Sequence, residues 1–193
     1  MNHPSPHIPL PGEGPALALR PRSQKGIGSV IATLDHPQRI AGVEIEAGAI
    51  WPDDRGCFTE LFRFGEGGHA WARGFSAPLQ VSAAVSFPGT IKAMHYHRRQ
   101  TDLWAPLCGL FQLVLFDLRV ASPTFGELNT LYAGEWRPWR LRIPAGVAHG
   151  YKTLGTEPGV MVYATDRFYD PGDEGRIPHD ARELNYDWDL QHR

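Results

Sequence analysis

Two histidines one residue apart, His95 and His97, stand in the run GTIKAMHYHRRQTDLWAPLCG between Gly89 and Gly109. Asp102 follows five residues after His97, and a third histidine, His149, lies in IPAGVAHGY. Neutral imidazoles and a carboxylate can hold a divalent metal ion, and an imidazole with a free lone pair can instead take a proton from carbon. For any one histidine these uses exclude each other, because coordination occupies the lone pair. A single histidine in a strand is more often a satisfied structural residue; the paired spacing and the third histidine argue against that reading for this set. On a strand with unbroken alternation His95 and His97 project to one face together with Ala93 and Ile91, and that face is expected to line a cavity.

Short strands are the elements expected to position these groups. The 17 prolines and 21 glycines interrupt long helices and suit tight turns, and 193 residues are enough for one hydrophobic core. Alternation predicts strands at residues 43–46, 57–62, 79–82, 91–97, 107–118, 128–132, 139–143, 147–152 and 160–165, with one short helix around 65–73. Residues 1–36 carry six prolines before Arg22 and read as an extended or disordered arm, within which 27–34 can add an edge strand. Residues 37–193 form the domain. Cys57 and Cys108 lack metal or disulfide spacing and read as small apolar side chains.

Nineteen basic residues nearly balance 21 acidic ones, so no global field draws the chain to nucleic acid or an anionic membrane. The longest apolar run is too short to cross a bilayer and no export signal opens the chain, which reads as soluble and cytoplasmic.

The spacing G-x5-H-x-H-x4-D-x6-G followed by P-x-G-x-x-H resembles the two motifs of the cupin superfamily, with Asp102 where glutamate is usual. This implies an all-β double-stranded β-helix, a jelly roll. Read for metal, His95, His97, Asp102 and His149 would ligate a divalent ion such as Fe, Mn, Ni, Co or Zn, in a metal-dependent isomerase or oxygenase.

A broader resemblance covers Ile40 to about Trp188. WPDDRGCFTELF, GTIKAMHYH, DLRVASPTFG, IPAGVAHGYKTL and VYATDRFYDPGDEG occur in the order seen in the dTDP-4-dehydrorhamnose 3,5-epimerase family, itself of cupin fold. The family acts on nucleoside-diphosphate 4-keto-6-deoxysugars, inverting a centre beside the ketone, with no cofactor. The resemblance implies His95 as base and Tyr163 as the acid on the other face. It also implies substrate contacts from Arg55, Glu60, Gln80, Lys92, His149, Tyr169 and Glu174, with Tyr169 stacking on the nucleobase and Arg55 near the diphosphate. A homodimer exchanging N-terminal strands is implied as well.

By residue type alone, Arg55 reads equally as a solvated turn charge, Glu60 as a group on an outer strand face, and Tyr163 and Tyr169 as core aromatics. The chain also departs from the family pattern. Lys92-Ala-Met-His95-Tyr-His97 replaces Arg-Gly-Leu-His-Tyr-Gln, Gln80-Val-Ser82 stands for Gln-Asp-Asn, and Pro178-His179 stands where a tryptophan is usual. Asp102 falls in register with the family lysine, and the family's base-orienting aspartate lies beyond Arg193, so Asp187 or Asp189 is expected to substitute. The changes at His97 and Asp102 also complete the metal-ligand set. A third reading is a sugar-binding cupin without catalysis.

Overall fold

The computed structural model describes residues 8–10, 12, 14–75 and 79–191. The chain opens with β1 (Ile8–Pro9), β2 (Ala18–Leu19), β3 (Ser29–Val30) and β4 (Glu44–Ala47), followed by a hairpin of β5 (Trp51–Asp53) and β6 (Gly56–Phe58). A single 3-10 turn at Ala70–Ala72 is the helical element among the described residues, within the segment predicted helical. Then come β7 (Gln80–Ser86), β8 (Ile91–His97), β9 (Asp102–Cys108), β10 (Leu110–Asp117) and β11 (Leu128–Gly134). The series ends with β12 (Trp139–Ile143), β13 (Val147–Leu154), β14 (Gly159–Thr165) and β15 (Glu174–Arg176).

These strands build a jelly roll of two principal sheets, a six-stranded one ordered β15-β8-β13-β10-β11-β3 and a five-stranded one ordered β4-β12-β9-β14-β7. All pairs within them are antiparallel except β11 with β3. Inward-facing residues of both sheets, including Phe111, Leu113, Leu131, Leu141 and Met161, interlock as the core between the layers. A second apolar cluster lies on the outer face of the six-stranded sheet, where Val114, Phe116 and Leu128 meet Leu17, Leu19 and Ile27 from the arm and Leu184, Tyr186 and Trp188 from the C-terminal segment. The arm from Leu17 to Ile31 is thus extended along the sheet and contributes buried side chains, and β3 adds the edge strand expected there.

The run read as one strand from 107 to 118 is two strands in different sheets. Gly109, at φ 75°, turns the chain from β9 to β10, and a Cβ there would lie 2.9 Å from the Gly159 Cα. Only glycine fits both the left-handed backbone and that close approach. β9 was not foreseen as a strand, and it carries Asp102 and Trp104. Among the described residues no helix is long and apolar enough to cross a membrane.

Candidate active site

One end of the space between the sheets is open. It forms a cavity of about 520 Å³ lined by Lys92, His95, His97 and His149 from one sheet and by Gln80, Asp102, Trp104 and Tyr163 from the other, with Tyr169 and Glu174 at its rim. The lining is mixed, aromatic with a few convergent polar groups, as in small-molecule sites.

Strand β8 reaches the cavity with a change of phase. His95 pairs with His149 but Lys92 pairs with Tyr151, so three steps on β8 match two on β13. This bulge shifts the alternation. Lys92, rather than Ala93, therefore shares the cavity face with His95 and His97, while Ile91 and Ala93 pack on the outer cluster, contrary to the unbroken alternation expected from sequence. Gly150 admits the bulge, since a Cβ there would lie 2.5 Å from the Ala93 Cβ.

His149 is held by its backbone: its Nδ1–H donates to the Val147 carbonyl at 3.0 Å, which directs Nε2 to the Asp102 carboxylate, 3.3 Å away. Asp102 takes a second hydrogen bond, from the Gln100 amide to Oδ1 at 2.7 Å. Its burial alone would raise the carboxyl pKa, but His149, His97 and Gln100 together hold it below the usual carboxylate range. His97 lies with its ring centroid 5.6 Å from that of His149. Its pKa is lowered chiefly by burial, partly offset by Asp102. Trp104 meets His149 edge-on at 5.1 Å and fixes the ring plane.

His95 stands apart from this cluster. His97, Asp102 and His149 each place a donor atom within 4.8 Å of the others, and His95 is not in that set. Its side chain is one-third exposed, and Nδ1 lies 3.5 Å from Glu174 Oε1. Burial, reinforced by His149, lowers its pKa against the opposing pull of Glu174, so the ring is neutral near neutral pH. A neighbouring carboxylate favours the proton on Nδ1, which leaves Nε2 with its lone pair. Glu174 is itself fixed by Arg176 Nε at 2.7 Å and by the preceding turn, where buried Asp173 accepts from the backbone N–H groups of Arg99 and Gln100 at 3.1 Å each.

This arrangement on these strands can be compared with known proteins. The model of the dTDP-4-dehydrorhamnose 3,5-epimerase family matches residues 37–193. The chain belongs to that family. Among curated relatives of this epimerase-family protein is the spore coat polysaccharide biosynthesis protein SpsL of Bacillus subtilis, 43% identical over 80% of this chain and 99% of its own length. A dTDP sugar isomerase from Desulfovibrio desulfuricans G20 superposes with a TM-score of 0.70 at 27% identity, covering 77% of this chain and 92% of that one. The dTDP-6-deoxy-D-glucose-3,5-epimerase of Legionella pneumophila, solved with dTDP-4-keto-L-rhamnose, superposes at 0.69 with 27% identity over 80% of this chain and 82% of its own.

Seven of the nine residues that the resemblance assigns, His95, Tyr163, Gln80, Lys92, His149, Tyr169 and Glu174, line one cavity. The other two do not reach it. Arg55 sits in the exposed β5–β6 turn, paired with Asp53 at 2.5 Å. Glu60 follows that hairpin and is bound to Arg63 at 2.6 Å and His69 at 2.8 Å. Arg55 thus belongs to a hairpin outside the two principal sheets, and Glu60, just after it, is tied by its carbonyl to Arg140 of β12. Gln80 accepts the Tyr169 backbone N–H at 3.0 Å, so it also holds the rim loop in place.

Asp187 and Asp189 do not substitute for a base-orienting aspartate. They pair with Lys25 at 3.4 Å and Lys152 at 2.8 Å at the outer cluster, and Glu174 stands beside His95 instead. Sequence reading missed Gln100, Trp104 and Tyr151, which also line the cavity. Recognising 102–108 as a strand would have placed Trp104 on the Asp102 face through its period of two.

Proposed function

We propose that this epimerase acts on a dTDP-linked 4-keto-6-deoxysugar, removing the proton beside the ketone with His95 and returning one to the opposite face of the sugar from Tyr163. One observation carries the reading: a neutral imidazole, with Nδ1 beside Glu174 and no hydrogen bond at Nε2 among the described residues, lies on one sheet and a tyrosine on the facing sheet, both lining one cavity. Enolisation breaks a C–H bond made acidic by the ketone, and the electron pair moves onto the carbonyl oxygen. His95 holds the proton as imidazolium beside Glu174, and Tyr163 O–H supplies the replacement. No electrons are exchanged with an outside acceptor, so the step needs no redox partner. Tyr169, 60% exposed at the rim, offers a ring face for the nucleobase, and Lys92 a point charge for the diphosphate.

The assembly we propose is a cytoplasmic homodimer. The edge strand β7 presents Val81 and Val85 at 55% and 64% exposure, with Phe87 just beyond at 74%, and the β5–β6 hairpin exposes Trp51 and Phe58. An open apolar edge and an unpartnered hairpin fit strand exchange between two copies. In that arrangement Arg55 and Glu60 would serve a partner's cavity.

Incubation with dTDP-4-keto-6-deoxyglucose in deuterated water tests the reaction. Deuterium is expected at a carbon beside the ketone, and full exchange in His95→Ala would overturn the assignment.

A further inference from the structure

We propose that His97, Asp102 and His149 form a binding site for one divalent first-row transition-metal ion, separate from the base His95. Two imidazoles and one carboxylate from three strands place a donor atom each within 4.8 Å of one another, and all three side chains are buried at the cavity wall. Donors bound to one ion at about 2.1 Å from it lie within about 4.2 Å of each other, so small side-chain rotations close the set.

The supporting contacts are those of a built metal site. Metal-binding histidines donate their other ring N–H to a carbonyl or carboxylate, and ligating carboxylates carry a hydrogen bond of their own. His149 Nδ1–H is spent on the Val147 carbonyl at 3.0 Å, and Gln100 holds Asp102 Oδ1 at 2.7 Å, leaving Oδ2 toward His149. With Nδ1–H committed to the Val147 carbonyl, His149 turns Nε2 toward the Asp102 carboxylate oxygen 3.3 Å away. The third residue favours the metal. His97 is 7% exposed, and its Nδ1 is buried with no hydrogen-bond partner among the described residues. An unsatisfied buried ring nitrogen is costly, and a metal ion bound through it would remove that cost.

Two imidazoles and a carboxylate suit iron, cobalt or zinc in the divalent state and leave coordination positions open to the cavity. The position also resolves the conflict between ligand and base, since coordination by this set leaves the His95 lone pair free. If the epimerase reading holds, a bound ion would supply positive charge for the enolate oxygen.

The test uses the full chain, stripped with a chelator and titrated with Co²⁺ without any sugar, following visible ligand-field absorption and metal content. Saturation at about one ion per chain is expected. His97→Ala and Asp102→Ala should each weaken binding about a hundredfold or more, and His95→Ala should bind as the parent does. Absence of saturable binding overturns the site, as does binding that survives both ligand substitutions or is lost in His95→Ala. Circular dichroism checks each variant, with Asp102→Asn replacing any Asp102→Ala that fails to fold. Because the readout is metal binding alone, its failure leaves the roles of His95 and Tyr163 standing, and their failure leaves the site standing.

Discussion

Glu174 Oε1 lies 3.5 Å from His95 Nδ1, on a three-residue strand whose pairing with β8 sets Glu174 opposite His97 and Arg176 opposite His95. The carboxylate sits on the far side of the ring from the nitrogen that must face a substrate. It is held below the usual carboxyl range, burial being outweighed by Arg176 and the two histidines, so it stays ionised while His95 takes up a proton.

Replacing Glu174 by Gln should therefore lower kcat about tenfold while changing KM little, because the side chain steadies a charge that exists only after proton abstraction. Glu174→Asp should recover part of the loss. Steady-state kinetics of both variants check this; a rise in KM with unchanged kcat would assign Glu174 to substrate binding alone.

Tyr163→Phe separates the two halves of the proposed reaction. His95 would still remove the proton and return a solvent deuteron to the same face, so label should enter the recovered substrate while inversion falls by about a hundredfold or more. In His95→Ala both label entry and inversion should fall by at least that factor. Mass and NMR analysis of the recovered sugar nucleotide distinguishes these outcomes.

The framework of the site was legible where alternation was regular. Residues 139–143 match β12 end to end, and 91–97 match β8 in extent although a bulge breaks its alternation. What alternation cannot encode is a bulge or a change of sheet. The extra residue in β8 exchanged Ala93 for Lys92 on the cavity face, and the run 107–118 took in only the last two residues of β9, so Trp104 on its earlier part went unseen. Arg55 and Glu60 were assigned by motif, and motif spacing does not say whether a hairpin folds over its own cavity. The block DLRVASPTFG has a different explanation: it builds a polar knot around Asp117.

Asp117 is fully buried and accepts hydrogen bonds from Arg119 Nε at 2.8 Å, Ser122 Oγ at 2.6 Å and Thr124 Oγ1 at 2.7 Å. Burial would raise its pKa, but these donors overcome it and hold the carboxyl below its ordinary value. A group depressed on folding stabilises the protein above its unfolded pKa, and that stabilisation is lost as pH falls through the folded pKa. Asp117→Asn should cost about 2 kcal/mol at neutral pH, and the difference from the parent should shrink on acidification below the ordinary carboxylate range. Thermal unfolding measured across that range checks both the size and the sign.

The exposed edge of β7 gives the last prediction. Val81 and Val85 alternate outward on a strand that, among the described residues, pairs only with β14, so in that set one row of backbone hydrogen-bonding groups and one apolar stripe are open together. A charge at the centre of that stripe would have to be desolvated in any copy-to-copy pairing, a cost absent from the monomer. Val85→Lys should thus leave circular dichroism unchanged and shift the protein from dimer to monomer in light scattering at micromolar concentration. Activity should fall with it if Arg55 and Glu60 serve the neighbouring cavity, and adding Arg55→Ala to Val85→Lys should then cause no further loss. A dimer unaffected by Val85→Lys would place the interface elsewhere.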